Sequence, residues 1–232
     1  MKRAIVIIGG FSTSPGHYRK MAAQLHERSG LPVNVVPIAM GEWSVVVRQS
    51  GWRHLLGKLE RTLESTLDAS GCDRVIIVAH SLGGIVTRLY STGEPILGFT
   101  PRYASHIESI VTLGSPHRRG LVHRLSVWKG LNECLTQSQV KVPLLSVAGK
   151  VDYSSRGRPL KHLVHLRYRI HGGEPDELGD GIIPVGCAIY DSSRSLVLDD
   201  VRHDFRIGRP WYGDPQIVEM WWQESKESTP DV

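Results

Sequence analysis

The 232-residue sequence has few cysteines, and the three it has, Cys72, Cys134 and Cys187, stand far apart. An odd, scattered set is neither a disulfide framework nor a zinc site. Reduced thiols in an intracellular protein are the simplest reading. Long apolar runs are absent too. The N-terminal stretch Ala4–Ile8 ends after five residues at Gly9-Gly10, too short for the apolar core of a signal peptide. No stretch approaches the roughly 18 apolar residues that a membrane span needs. A cytoplasmic location is therefore expected. There is no run of five or more basic residues and no nucleic-acid-binding motif, so no nucleic-acid partner is expected. The net charge of +5 is modest; it is compatible with transient contact with an anionic membrane surface but does not require one. The biased compositions of coiled coils, collagens and disordered chains are missing.

The composition that is present, 41% hydrophobic and 22% charged, is that of a globular protein. A chain of this length buries roughly 70% of its unfolded surface. With no internal repeat and no linker between two cores, it reads as a single domain over residues 1–223, with a polar, flexible tail at 224–232. Short apolar runs alternate with amphipathic segments. Strands are expected at Ala4–Ile8, Val33–Ile38, Val75–Ala79, Ile107–Leu113, Leu144–Ala148 and Leu196–Leu198. Helices are expected at Tyr18–Arg28, Trp52–Leu67, Ile85–Ser91 and Pro215–Gln223. In the second helix Leu55, Leu56, Leu59, Leu63 and Leu67 keep helical register. That alternation implies an α/β fold with a mostly parallel sheet and helices on both faces. Residues 117–140 and 152–185 interrupt it, and long insertions in a compact domain are often functional.

The strongest chemical signal is Val75-Ile76-Ile77-Val78-Ala79-His80-Ser81-Leu82-Gly83-Gly84. A buried strand runs straight into a serine, and a helix starts at once. This is the context of a nucleophile elbow, where small residues must stand two before and two after the serine. Ala79 and Gly83 do so. The turn would lift the Ser81 hydroxyl clear of the sheet and aim the Leu82 N–H at an oxyanion. A serine nucleophile needs a base and an orienting acid, in the chain order Ser, Asp or Glu, His. His203, just after the last strand, is the expected base. Asp152 and Asp180 are both candidates for the acid; Asp180, between two glycines and before a short apolar run, is favoured. The second oxyanion donor is expected to be the Phe11 N–H, in the Gly-rich turn after the first strand. His80 should face away from the hydroxyl, because neighbours on a strand point to opposite faces. Asp199, Asp200 and Asp204 are read as loop carboxylates, and no metal or cofactor is expected.

At this point the sequence resembles a known superfamily. Ala79-His80-Ser81-Leu82-Gly83-Gly84 is similar to the elbow of α/β-hydrolase lipases. Thr112-Leu113-Gly114-Ser115-Pro116-His117-Arg118-Arg119-Gly120 resembles a segment of bacterial triacylglycerol lipases. Asp180-Gly181-Ile182-Ile183-Pro184-Val185 resembles the segment in those lipases that begins with the triad acid. The resemblance implies an α/β-hydrolase fold and a serine esterase or lipase. It also strengthens Asp180 over Asp152. The sequence departs from the family in lacking a histidine before Gly9-Gly10.

Leu121, Leu125, Trp128, Leu131 and Leu135 recur at helical spacing, with Arg118, Arg119, Arg124 and Lys129 on or near the stripe. A small cap is expected there, with Leu121, Leu125 and Trp128 facing an apolar acyl chain. The expected substrate is a small-molecule or lipid ester. An acyltransferase or thioesterase would use the same triad, and a non-catalytic binding protein is the remaining alternative.

Overall fold

In the computed structural model the described residues are 1–118, 139–154, 157–174 and 176–227. Six strands form one sheet: β1 Arg3–Ile8, β2 Val33–Val35, β3 Arg74–His80, β4 Ile107–Leu113, β5 Leu144–Lys150 and β6 Arg194–Asp199. Their order is β2-β1-β3-β4-β5-β6, and every pairing is parallel. The described helices are α1 Arg19–Ser29, α2 Gln49–Ser70, α3 Leu82–Ser91, α4 Arg158–His171, α5 Val185–Ala188 and α6 Pro215–Lys226.

The period of two along the strands decides which side chain meets which layer. On β1, Ala4, Val6 and Ile8 share one core with Leu55, Leu56, Leu59 and Leu63 of α2 and with Ile85, Val86 and Leu89 of α3. Ile5 and Ile7 point the other way, to Met21 and Leu25 of α1 and Trp221 of α6. Each of the four α2 leucines is fully buried, a gain of about 1.5–3 kcal/mol apiece. The sheet is thus covered on both faces. No described helix is long and apolar enough to cross a membrane.

Three expectations change. Strand β2 stops at Val35, because Pro37 has no N–H for the ladder and the Ile38 N–H turns back to the Val36 carbonyl. Residues 152–185 contain an unforeseen helix, α4. The expected tail is shorter, because α6 runs on to Lys226: Glu224 pairs with Arg194, and the Lys226 ammonium lies 5.7 Å from the Trp222 ring centroid. Trp43 and Trp52 are core residues.

Between β1 and β3 the chain changes direction across the sheet. The β1 connection leads to one edge and the β3 connection to the other. In open α/β sheets ligands bind beyond the C-terminal ends of the strands at such a switch point. The loop after β1 and Ser81 after β3 flank that switch point.

Candidate active site

Ser81 stands between the last residue of β3 and the first of α3, with φ 53° and ψ −124°. A side chain in this region costs about 1–3 kcal/mol, a strain characteristic of functional turns. Two close approaches hold the turn. A Cβ on Gly83 would sit 2.4 Å from the Gly9 carbonyl oxygen. A Cβ on Gly10 would sit 2.5 Å from the Ser81 Cβ. The loop after β1 therefore lies directly on the serine.

His203 follows β6, and its imidazole reaches both partners. Its Nε2 is 3.0 Å from Ser81 Oγ, and its Nδ1 is 2.7 Å from Asp180 Oδ2. Asp180 is fully buried. Its Oδ1 accepts the Ile182 and Ile183 N–H groups at 3.0 and 2.8 Å. Its Oδ2 also accepts the Tyr212 hydroxyl at 2.9 Å, and the Tyr212 oxygen accepts the Gly149 N–H at 2.7 Å. Burial is the largest single influence on Asp180 and pushes its pKa up. The cation that His203 can carry, together with the donors around the carboxyl, outweighs it and leaves the group below its ordinary value. With Asp180 ionised, Nδ1 of His203 carries the proton and Nε2 accepts from Ser81. The Tyr212 phenol is driven far up, first by burial and then by the Asp180 charge, so it stays a donor.

The structure thus brings Ser81, His203 and Asp180 into one hydrogen-bonded line. Asp152 is elsewhere: it is exposed and caps its own loop by accepting the Ser154 N–H. The Phe11 and Leu82 N–H groups, the expected oxyanion donors, have no hydrogen-bond acceptor among the described residues. The Phe11 side chain is exposed. Leu121, Leu125 and Trp128 lie outside the described residues. At the edge of that segment Arg118 pairs with Asp191 at 3.7 Å.

His80 does not touch the Ser81 hydroxyl. Its Nε2–H donates to the His203 carbonyl at 2.9 Å, which leaves Nδ1 to accept the Tyr18 hydroxyl at 2.8 Å. The Tyr18 oxygen in turn accepts the Gly10 N–H at 3.0 Å. Burial, then the neighbouring His203, pushes His80 down to about 3, so it is neutral at ordinary pH. This chain ties the loop after β1 to the loop bearing His203. Arg206 adds a second tie, donating to the Ser12 carbonyl at 2.9 Å while its Nε holds Asp204 at 2.8 Å. Asp199 pairs with Lys150 instead. Among the described residues no three His, Cys, Asp or Glu side chains converge as a metal would need.

Residues 59–162 match the family model of the PGAP1-like alpha/beta domain. No curated protein sequence matches the chain. Solved structures do. A gene product of Listeria innocua superposes with a TM-score of 0.56 at 14% identity, covering 100% of this chain and 96% of that one. A Lactobacillus plantarum protein described as a candidate cell surface hydrolase gives 0.58 at 14% identity, with 100% and 94% covered. A metagenome-derived lipolytic enzyme gives 0.53 at 14% identity, with 97% and 94% covered. With its parallel sheet, the reversal of strand order between β1 and β3 and the serine at the β3–α3 turn, this chain is built on the α/β-hydrolase fold.

Proposed function

We propose that this protein is a serine hydrolase that cleaves carboxylic esters with lipid-like or other apolar acyl groups. The observation that carries the proposal is the line Ser81–His203–Asp180, with the serine at a strained strand-to-helix turn. In this reading His203 Nε2 takes the Ser81 proton as Oγ attacks the ester carbonyl. The Leu82 and Phe11 N–H groups hold the oxyanion; one such donor contributes about 3 kcal/mol. Asp180 fixes the tautomer of His203 and stabilises its cation. The cation then protonates the leaving alcohol. Water, activated by the same imidazole, releases the acid from the acyl-enzyme.

The apolar substrate class is supported by exposed hydrophobic side chains in the loops that flank Ser81 and His203, Phe11 and Phe205. The lipolytic enzyme that shares the fold is in keeping with it. The segment with Leu121, Leu125 and Trp128 is proposed to cover the acyl chain. The test is hydrolysis of p-nitrophenyl esters of rising chain length. Rising kcat/KM from acetyl to longer acyl chains supports the reading; a clear preference for acetyl removes the apolar acyl site.

A further inference from the structure

Helix α4 has a one-sided charge composition. Arg158–His171 holds four Lys or Arg, three His and no Asp or Glu. Its apolar residues split into two sets. Val164 and Tyr168 are buried against Val151 and Tyr153. Leu160, Leu163 and Leu166 are exposed by 40%, 44% and 57%. At about 100° of rotation per residue, these leucines and Ile170 share an arc of about 120° that does not include the buried pair; Arg167 falls in the same arc, with its guanidinium donating to the Gly181 carbonyl. Lys161, His162, His165 and Arg169 occupy a separate arc, on the other side of the buried pair. The helix therefore has a face for the core, a face of exposed leucines and a face that carries Lys161 and Arg169 beside two histidines. That is the design of a helix lying in a lipid–water boundary.

Its position adds a second argument. The Tyr168 hydroxyl accepts the Gly181 N–H at 3.1 Å, and Arg167 donates to the Gly181 carbonyl at 3.3 Å. Gly181 adjoins Asp180, so α4 is bolted to the loop that carries the acid. Other exposed apolar residues, Phe11, Leu178 and Phe205, stand in connections that leave the C-terminal ends of the strands. Ser81 and His203 lie at that same edge.

We infer that α4 seats this protein on an anionic lipid–water interface, with the leucines inserted and the basic face against headgroup phosphates. The edge of the sheet that carries Ser81 and His203 then faces the lipid. A second copy of the chain is a poor occupant. A two-fold contact through α4 would set cations against cations, with no acid on the helix to relieve them. A purely apolar partner would leave the basic face without a role.

The inference deepens the reading of the site as a lipid-ester hydrolase and rests on it for the nature of the substrate. The test uses the full chain carrying Ser81→Ala, so that lipid is not consumed. It is sedimented with vesicles of phosphatidylcholine holding phosphatidylglycerol at about one part in three. Binding is expected, and it should weaken as salt screens the basic face. Leu160→Ser, Leu163→Ser and Leu166→Ser together should lower the partition coefficient by about tenfold or more. Lys161→Glu with Arg169→Glu should remove the preference over pure phosphatidylcholine vesicles. With Ser81 restored, the leucine variant should keep the wild-type rate on soluble p-nitrophenyl acetate, which also reports that it is folded. No binding of the Ser81→Ala chain, undiminished binding by the leucine variant, or a dimer that the leucine variant dissociates would each overturn the inference. Labelling of Ser81 by a fluorophosphonate separates the two claims. Vesicle binding without labelling sinks the hydrolase reading and leaves the docking face; labelling without vesicle binding does the reverse.

Discussion

Asp180→Asn is the substitution whose outcome the geometry constrains most tightly. The carboxyl accepts four hydrogen bonds, two on each oxygen. An asparagine can keep its single oxygen only on the side of the Ile182 and Ile183 N–H groups, because an amide nitrogen there would face two donors. The amide NH₂ then falls where Oδ2 stood, opposite the Nδ1–H of His203. Donor faces donor, so the imidazole is driven to its other tautomer. Nε2 then carries the proton and can no longer accept one from Ser81, while the fold is kept. In a serine protease triad the equivalent change costs about 10⁴ in kcat, or roughly 5 kcal/mol of transition-state stabilisation. The assay is steady-state hydrolysis of p-nitrophenyl butyrate, with circular dichroism to check folding. Asp152→Asn is the control and should stay within about twofold of wild type, because its carboxyl serves only an exposed loop. A folded Asp180→Asn chain within about tenfold of wild type would refute the argued role of the carboxylate.

Three further outcomes follow from the same geometry. Tyr212→Phe removes a donor from Asp180 and leaves the buried Gly149 N–H without its acceptor, so thermal unfolding should show a loss of about 1–3 kcal/mol, together with a lower kcat at unchanged KM. Gly83→Ala drives a Cβ into the Gly9 carbonyl, and moving the β1 loop off Ser81 should slow fluorophosphonate labelling by about 10²-fold. Glu42 is held down to about 2, first by the hydrogen bond from Lys58. Because this folded-state pKa is depressed, the stabilisation is complete above the ordinary carboxylate range and is lost as pH falls through about 2. Its side chain is 28% exposed, and screening leaves about 1 kcal/mol. The stability gap between wild type and Glu42→Gln should therefore be present at pH 7 and close as the pH approaches 2; a gap of constant size across that range would contradict the assignment.

Much of the architecture was legible because fully buried strands announce themselves. Ala4–Ile8, Val75–Ala79 and Ile107–Leu113 are short β-branched runs, and the sheet uses them nearly as read. The elbow was legible because its sterics demand small residues at fixed offsets from Ser81. His203 was legible from its place after the last strand. Asp180 was separable from Asp152 only as a preference, since both follow β5; what distinguishes them is burial and the N–H groups of Ile182 and Ile183, which belong to the folded loop. Tyr212 carried no signal. It lies 32 residues from Asp180 in the chain and meets it only through the packing of the segment before α6. Helix α4 is hard to read from the sequence because its most regular apolar stripe, Leu160, Leu163 and Leu166, is not the face that packs. The tie from Gly10 through Tyr18 to His80 and His203 joins three distant segments, and no local pattern encodes it.

The central claim is that Ser81 is a nucleophile activated by His203. The most direct measurement is reaction of the intact chain with a fluorophosphonate, followed by peptide mass mapping. The account predicts a single adduct on the peptide that carries Ser81, no adduct there in Ser81→Ala, and labelling slowed by orders of magnitude in His203→Ala. An unlabelled folded chain, or an adduct on another residue that survives Ser81→Ala, would contradict it.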